Sequence, residues 1–168
     1  IKNIDCLETY IPEFDHEHSY YLFPVKFDEN KAQISRSLFV KAVNMEFLDA
    51  EGWESVPLSE GYIKPLYLNP IYQNKIAIGT KGFPFNYNKD VEYDYTKGLC
   101  PIAENMYFKE MIITPLVREP LQISDMQDLI KAIKKVLLAA EDISLKFKNE
   151  ATEEIYTPVS AASSKNVR

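Results

Sequence analysis

The sequence predicts an α+β domain: a small, mostly antiparallel sheet covered by helices, broken by a long irregular Tyr/Pro-rich loop. Three observations carry this. Strand-like runs are few and short. Helix-like runs come with recognisable caps. The stretch from Leu58 to Leu99 holds most of the glycines and follows neither the helical nor the strand period. At 168 residues the chain suits one domain with a core of ordinary size.

Taken in order, residues 1–18 mix apolar and acidic side chains around Pro12 and read as an incoming connection. Tyr20 to Phe27 (YYLFPVKF) predicts the first strand, with Tyr21, Phe23, Val25 and Phe27 on one face. Pro24 inside it predicts an edge position or a bulge. Ser35 to Phe47 predicts a helix capped by Ser35 or Ser37, with Leu38, Phe39, Ala42 and Val43 at helical spacing. Trp53 to Val56 reads as a short strand. Cys100-Pro101 opens a second helix, because proline suits a first helical position whose N–H has no partner anyway. Ile102, Ala103, Met106 and Tyr107 are its expected apolar face. Glu110 to Thr114 (EMIIT) predicts a strand that Pro115 stops.

The clearest helix is Ser124 to Ala140. Ser124 and Gln127 have capping-box spacing. Met126, Leu129, Ile130, Ile133, Val136 and Leu137 form one stripe, and Lys131, Lys134 and Lys135 cover the wet side. Beyond Lys148 the residues turn small and polar, as in a frayed tail. No internal repeat is present.

Composition narrows the function. Hydrophobic residues make up 46% and charged residues 26%, enough apolar content to exclude wholesale disorder. A net charge of -6 and a pI near 5.0 argue against a nucleic-acid surface, which needs a basic stripe. No apolar run approaches the roughly 20 residues of a membrane helix. Cys6 and Cys100 lie far apart and form no CxxC pair, which fits a reducing, cytoplasmic location. The chain starts at Ile1 with neither a methionine nor a signal-peptide pattern, and is expected to be the C-terminal piece of something longer.

No GxSxG or GxGxxG motif is present, so no catalytic residue is assigned. His16 and His18, flanked by Asp15 and Glu17, fall short of a metal centre: zinc needs three or four ligands and the chain has no other histidine. They read as the start of a strand. Cys100 at a helix start reads as a buried small residue, since a reactive thiol wants a base beside it. Asp90 to Asp94 (DVEYD) reads as a solvated loop.

The most informative stretch is Gly61 to Gln73, GYIKPLYLNPIYQ. Two prolines exclude a regular element across it. Tyr62, Tyr67 and Tyr72 offer large rigid faces with a polar tip, suited either to a small polar ligand or to packing on the loop's own core.

HSYYLFPVKF, GYIKPLYLNPIYQ, GFPF (Gly82 to Phe85), CPIAENMYFKEMIITPL and the last amphipathic helix come in series. Together they resemble the C-terminal part of the DegT/DnrJ/EryC1/StrS sugar aminotransferases, over roughly Pro12 to Ile143. The resemblance implies the small C-terminal domain of the aspartate-aminotransferase (fold type I) architecture, residues 1–145, followed by a polar tail, 146–168. It implies an enzyme using pyridoxal 5'-phosphate to move an amino group from glutamate or glutamine onto a keto sugar, often nucleotide-linked, or onto a keto cyclitol. The cofactor's lysine belongs to a large N-terminal domain that is absent here, so the fragment alone is expected to be inactive. Its implied contributions are one wall of the substrate site and part of a homodimer.

The family motif in the loop often reads Y-x-x-P-L-H-x-x-P; here Tyr67 stands where the histidine would. A phenol at its ordinary pKa is a hydrogen-bonding group and a poor base at neutral pH. The implied substrate-binding residues are Tyr62, Lys64, Tyr67, Asn69 and Tyr72. The PLY form followed by GFPF looks closer to the family's cyclitol transaminases. CPIAENMY and MIITPL are assigned no chemistry. Two alternatives stand beside this: a dehydratase of the same family, using the cofactor without the lysine, and a stand-alone binding module on the same fold.

Overall fold

Among the described residues four short strands pair in the order β1-β2-β4-β3, every pairing antiparallel. They are β1 (Leu7–Glu8), β2 (Phe23–Phe27), β3 (Ser59–Glu60) and β4 (Met111–Thr114). The structure is a computed structural model that describes residues 1–10, 12, 15–47 and 56–156, the side chains up to 148. An α+β architecture with a small antiparallel sheet is what the sequence predicts.

β2 alternates as expected over Phe23, Val25 and Phe27, the last two buried. The alternation stops short of Tyr21, which is 79% exposed because the chain bends at Tyr21 and Leu22 before the ladder starts. β2 is also not an edge strand: it sits between β1 and β4. Pro24 is tolerated because β1 reaches only Phe27 and Lys26, leaving no strand of the described residues beside Pro24 on that side. β1 itself lies in the stretch read as a connection, and two residues are too few to show a period.

After β2, Asp28 caps the four-residue helix α1 (Glu29–Ala32), its carboxylate accepting from the Asn30 and Lys31 N–H groups at 3.0 and 3.2 Å. α2 (Arg36–Met45) follows, with Ser35 Oγ accepting the Leu38 N–H at 3.3 Å. Phe39, Val40 and Val43 are buried, while Leu38 and Ala42 are half-buried. The strand expected at Trp53 to Val56 falls mostly outside the described residues, and β3 lies just beyond it.

Further along come α3 (Pro70–Gln73), α4 (Pro101–Asn105), α5 (Ile123–Leu138) and α6 (Ala140–Tyr156). α5 starts two residues earlier than predicted: its N-cap is Gln122, whose N–H donates to Asp125 Oδ2 at 2.6 Å. The acid wins over Ser124 and Gln127 because a carboxylate is the stronger acceptor at the positive end of a helix. α6 runs through to Tyr156, so the stretch read as a frayed tail begins as helix.

The core lies on one face of the sheet. Val25, Phe27 and Ile112 meet Phe39 and Val43 of α2 and Leu129, Ile133 and Val136 of α5. Phe27 and Phe39 stack with ring centroids 4.7 Å apart. Pro24 and Lys26, on the opposite face, are exposed. Among the described residues no helix is long and apolar enough to cross a membrane.

Candidate functional site

Gly61 is the last residue to touch the sheet before the chain leaves it. Its N–H donates to the Met111 carbonyl at 2.8 Å, extending the β3–β4 ladder. Its φ is +58°, and a Cβ there would meet the Tyr107 ring and carbonyl at 3.0 Å, so both conformation and space demand glycine. The chain then forms an arm, residues 62–110, that returns to the sheet at Met111.

The Tyr/Pro segment is not wholly irregular. Leu66–Leu68 forms a 3-10 turn and Pro70–Gln73 forms α3. The prolines fit because Pro70 takes the first helical position, where no N–H is needed, and Pro65 precedes the 3-10 turn.

A buried carboxylate holds this segment. Glu104, on α4, accepts a hydrogen bond from the Tyr67 hydroxyl and another from the Gly98 N–H at 2.6 Å. The Tyr67 oxygen in turn accepts the Cys100 N–H at 3.2 Å. Gln73 Nε2 bridges the Tyr67 and Tyr95 carbonyls at 2.6 and 2.5 Å, and the Tyr72 and Tyr95 rings lie 5.3 Å apart. The 98–100 turn, α4 and the Tyr/Pro segment thus form one clasp.

Electrostatics follow from this geometry. Partial removal from water and the Glu104 carboxylate push the Tyr67 phenol up to about 12. The Tyr67 hydroxyl and the Gly98 N–H lower Glu104. A lowered carboxyl contributes stability above its ordinary range and loses it as pH falls through the depressed value. A raised phenol contributes fully below its ordinary value of 10.0 and loses it as pH rises through about 12. The clasp is therefore closed across neutral pH. An alkaline absorbance titration is expected to show a tyrosine ionising near pH 12 in the native protein, a step that Tyr67→Phe removes.

The predicted binding residues separate into two groups. Tyr67 and Tyr72 are half-buried and engaged within the arm. Asn69 is half-buried, and its carbonyl opens α3 by accepting from Tyr72 and Gln73. Tyr62 and Lys64 are exposed. Tyr62 meets Tyr21, their ring centroids 6.5 Å apart, and the hydrogen bond between the two phenols raises Tyr62. Sequence reasoning passed over Tyr21 by placing it on the buried face of β2. It passed over Glu104 too, whose partner lies 37 positions away.

α4 reverses its expected amphipathicity. Its buried residue is Glu104, whereas Ile102 is 80% exposed. The clasp turns the acid inward and so turns Ile102 out. α4 continues into a π turn, Met106–Glu110, where Met106 and Tyr107 are half-buried. Cys100 is exposed rather than buried, because its backbone faces Tyr67. Cys6 is buried in the core, and burial raises its thiol. A maleimide is expected to label Cys100 rapidly in the native protein and Cys6 only on unfolding; equal rates would contradict this placement.

His16 and His18 precede β2 rather than starting it, and His18 stacks on Tyr20 at 4.2 Å. Among the described residues no three His, Cys, Asp or Glu are grouped to hold a metal ion. The acidic loop Asp90 to Asp94 is exposed apart from half-buried Tyr93, and Asp94 accepts the Thr96 N–H at 2.9 Å. A cleft of about 500 Å³ lies between α1, the start of α2 and α6, lined by residues such as Gln33, Leu38 and Phe147, none of them from the Tyr/Pro segment. Comparison of the chain with models of known protein families and with curated proteins gives no match.

Proposed function

We propose that this chain is the C-terminal small domain of a pyridoxal-phosphate-dependent aminotransferase acting on a keto sugar or keto cyclitol, and that its arm is one wall of the substrate site. The observation that carries the reading is the construction of the arm. The Tyr67 hydroxyl, the Gly98 N–H and the Glu104 carboxylate are partnered within the arm by the clasp, while Ile63, Leu66, Ile71, Ile76, Ile78 and Ile102 stand at least half exposed. Exposed apolar side chains in that number on one arm suit a partner domain. The ordered motif series and the exposed Tyr62 and Lys64 supply the resemblance and the hydrogen-bonding groups a polyhydroxylated substrate needs.

The cofactor does not fit this chain by itself. Every described lysine is exposed, whereas a cofactor lysine has to stand in an enclosed site beside a phosphate cradle. Tyr62 and Lys64 orient substrate in this reading, and the exposed apolar side chains meet the large domain or the second subunit.

The test is to read the coding sequence upstream of Ile1, express the whole frame with pyridoxal phosphate, and supply glutamate or glutamine with a panel of keto sugars and cyclitols. Formation of 2-oxoglutarate or its amide together with an amino sugar or aminocyclitol is the expected result. Loss of water from the sugar without amino transfer would favour the dehydratase. A frame that closes at once, in a protein that neither takes up the cofactor nor turns over, would leave a binding module.

A further inference from the structure

The geometry points to Glu104 as the positioning residue of the Tyr/Pro segment: a carboxylate that meets no ligand itself and sets, through the Tyr67 hydroxyl, where Tyr62, Lys64 and Tyr72 stand. That these residues face a sugar rests on the proposed function; that Glu104 places them does not.

Glu104 is 7% exposed, and its Oε1 receives both the Tyr67 hydroxyl and the Gly98 N–H. Glutamate is seldom buried to this extent without partners of this kind. The Tyr67 oxygen already accepts the Cys100 N–H, so its single proton has one place to go. Both bonds therefore converge on one carboxylate oxygen, which acts as their common acceptor and carries the charge that strengthens them. An amide of equal size would bring two donors of its own into a cluster of donors.

The segment leaves the sheet at Gly61, pinned to Met111, and is next pinned at Tyr67. Tyr62, Ile63 and Lys64 span the distance between those two points, and Pro65 stiffens it. Beyond Tyr67, Gln73 ties the Tyr67 and Tyr95 carbonyls together and Tyr72 rests against Tyr95. Displacing the Tyr67 pin therefore moves both sides of the segment. Lys97, whose Nζ lies 4.7 Å over the Phe108 ring, is the cation whose charge reaches Glu104.

The experiment uses the 168-residue chain with ring-labelled tyrosine, read by NMR. Glu104→Gln is expected to shift the Tyr62 and Tyr72 ring signals as well as that of Tyr67, and to bring the tyrosine that ionises near pH 12 back toward the ordinary range. Ile112 methyl signals report whether the core is intact. Tyr67→Phe breaks the same bond from the other side and should shift Tyr62 and Tyr72 likewise, so it answers the question alone if Glu104→Gln unfolds. Unmoved Tyr62 and Tyr72 signals in a folded variant overturn the inference, as does an unchanged alkaline step in a folded Glu104→Gln. In the whole protein, Glu104→Gln is expected to weaken use of the keto acceptor by up to about 100-fold while glutamate use persists, the scale of a small misplacement. Persistent glutamate use with an unchanged keto acceptor overturns the part of Glu104 in acceptor use and leaves the aminotransferase reading standing. Absence of glutamate use in the unaltered protein withdraws that reading and leaves the NMR result to decide.

Discussion

Replacing Arg36 with alanine is expected to cost about 3–5 kcal/mol of folding stability, the scale for losing several hydrogen bonds made by a buried charged group. Arg36 is 6% exposed although it opens a helix. Its Nη1 donates to the Tyr107 and Met111 carbonyls at 3.0 and 3.1 Å. Its Nη2 donates to the Phe108 carbonyl at 2.9 Å and lies 3.2 Å from Glu60 Oε2, which also accepts the Ser37 hydroxyl. Three of these acceptors belong to the π turn and its junction with β4, where the wider winding leaves carbonyls without the regular helical donor. One planar fork thus fastens α2, β3 and the returning end of the arm.

Alanine would remove the guanidinium donors from the Tyr107 and Phe108 carbonyls, while the Met111 carbonyl keeps the Gly61 N–H and Glu60 keeps the Ser37 hydroxyl. Arg36→Lys keeps the charge but presents a point rather than a fork, so an intermediate loss is expected. Urea denaturation checks both: the midpoint should fall with the slope unchanged. A loss under about 1 kcal/mol for the alanine variant, the range of a solvent-exposed pair, would mean that the guanidinium is replaceable by water.

Phe39→Ala should lose a comparable amount, about 3–5 kcal/mol, through the deletion of a large buried ring. Phe39 is fully buried and stacks on Phe27, itself 1% exposed, at the junction of α2 with the sheet. The two rings come from elements on opposite sides of the core, so neither can relax far into the space the other leaves. Phe39→Leu keeps most of the volume and should cost about 1.5 kcal/mol. Similar midpoints for the two variants would show that the site collapses around alanine.

The elements with strong local signals were legible in the sequence. Ser35 ahead of an apolar stripe gave α2, Cys100-Pro101 gave the start of α4, EMIIT gave β4, and Leu129, Ile133 and Val136 gave the buried face of α5. Elements fixed by distant partners were not legible. Nothing near Arg36 in the sequence marks it, because its carbonyl acceptors lie 71 or more positions away. Glu104 sits among apolar neighbours that periodicity assigns inward, and only Tyr67 explains why it turns in while Ile102 turns out. β1 and β3 are two residues each, shorter than any alternation can reveal. The loop was recognised as the place of interest from its tyrosines and prolines, but which phenols point outward depended on Glu104 and on the bend at Tyr21.

The point where Gly61 bonds to Met111 has a further consequence. Those two residues are the ends of the arm, and they already touch across 2.8 Å. None of the described residues gathered in the hydrophobic core comes from the 62–110 stretch. To the sheet, that whole excursion amounts to a detour between neighbours, and lengthening or shortening such a detour changes closure entropy only logarithmically. The fold therefore separates what keeps it together from what it shows to the outside. The outward half can be rewritten in length and content while the inward half is left alone, provided the carbonyls that Arg36 grips are kept.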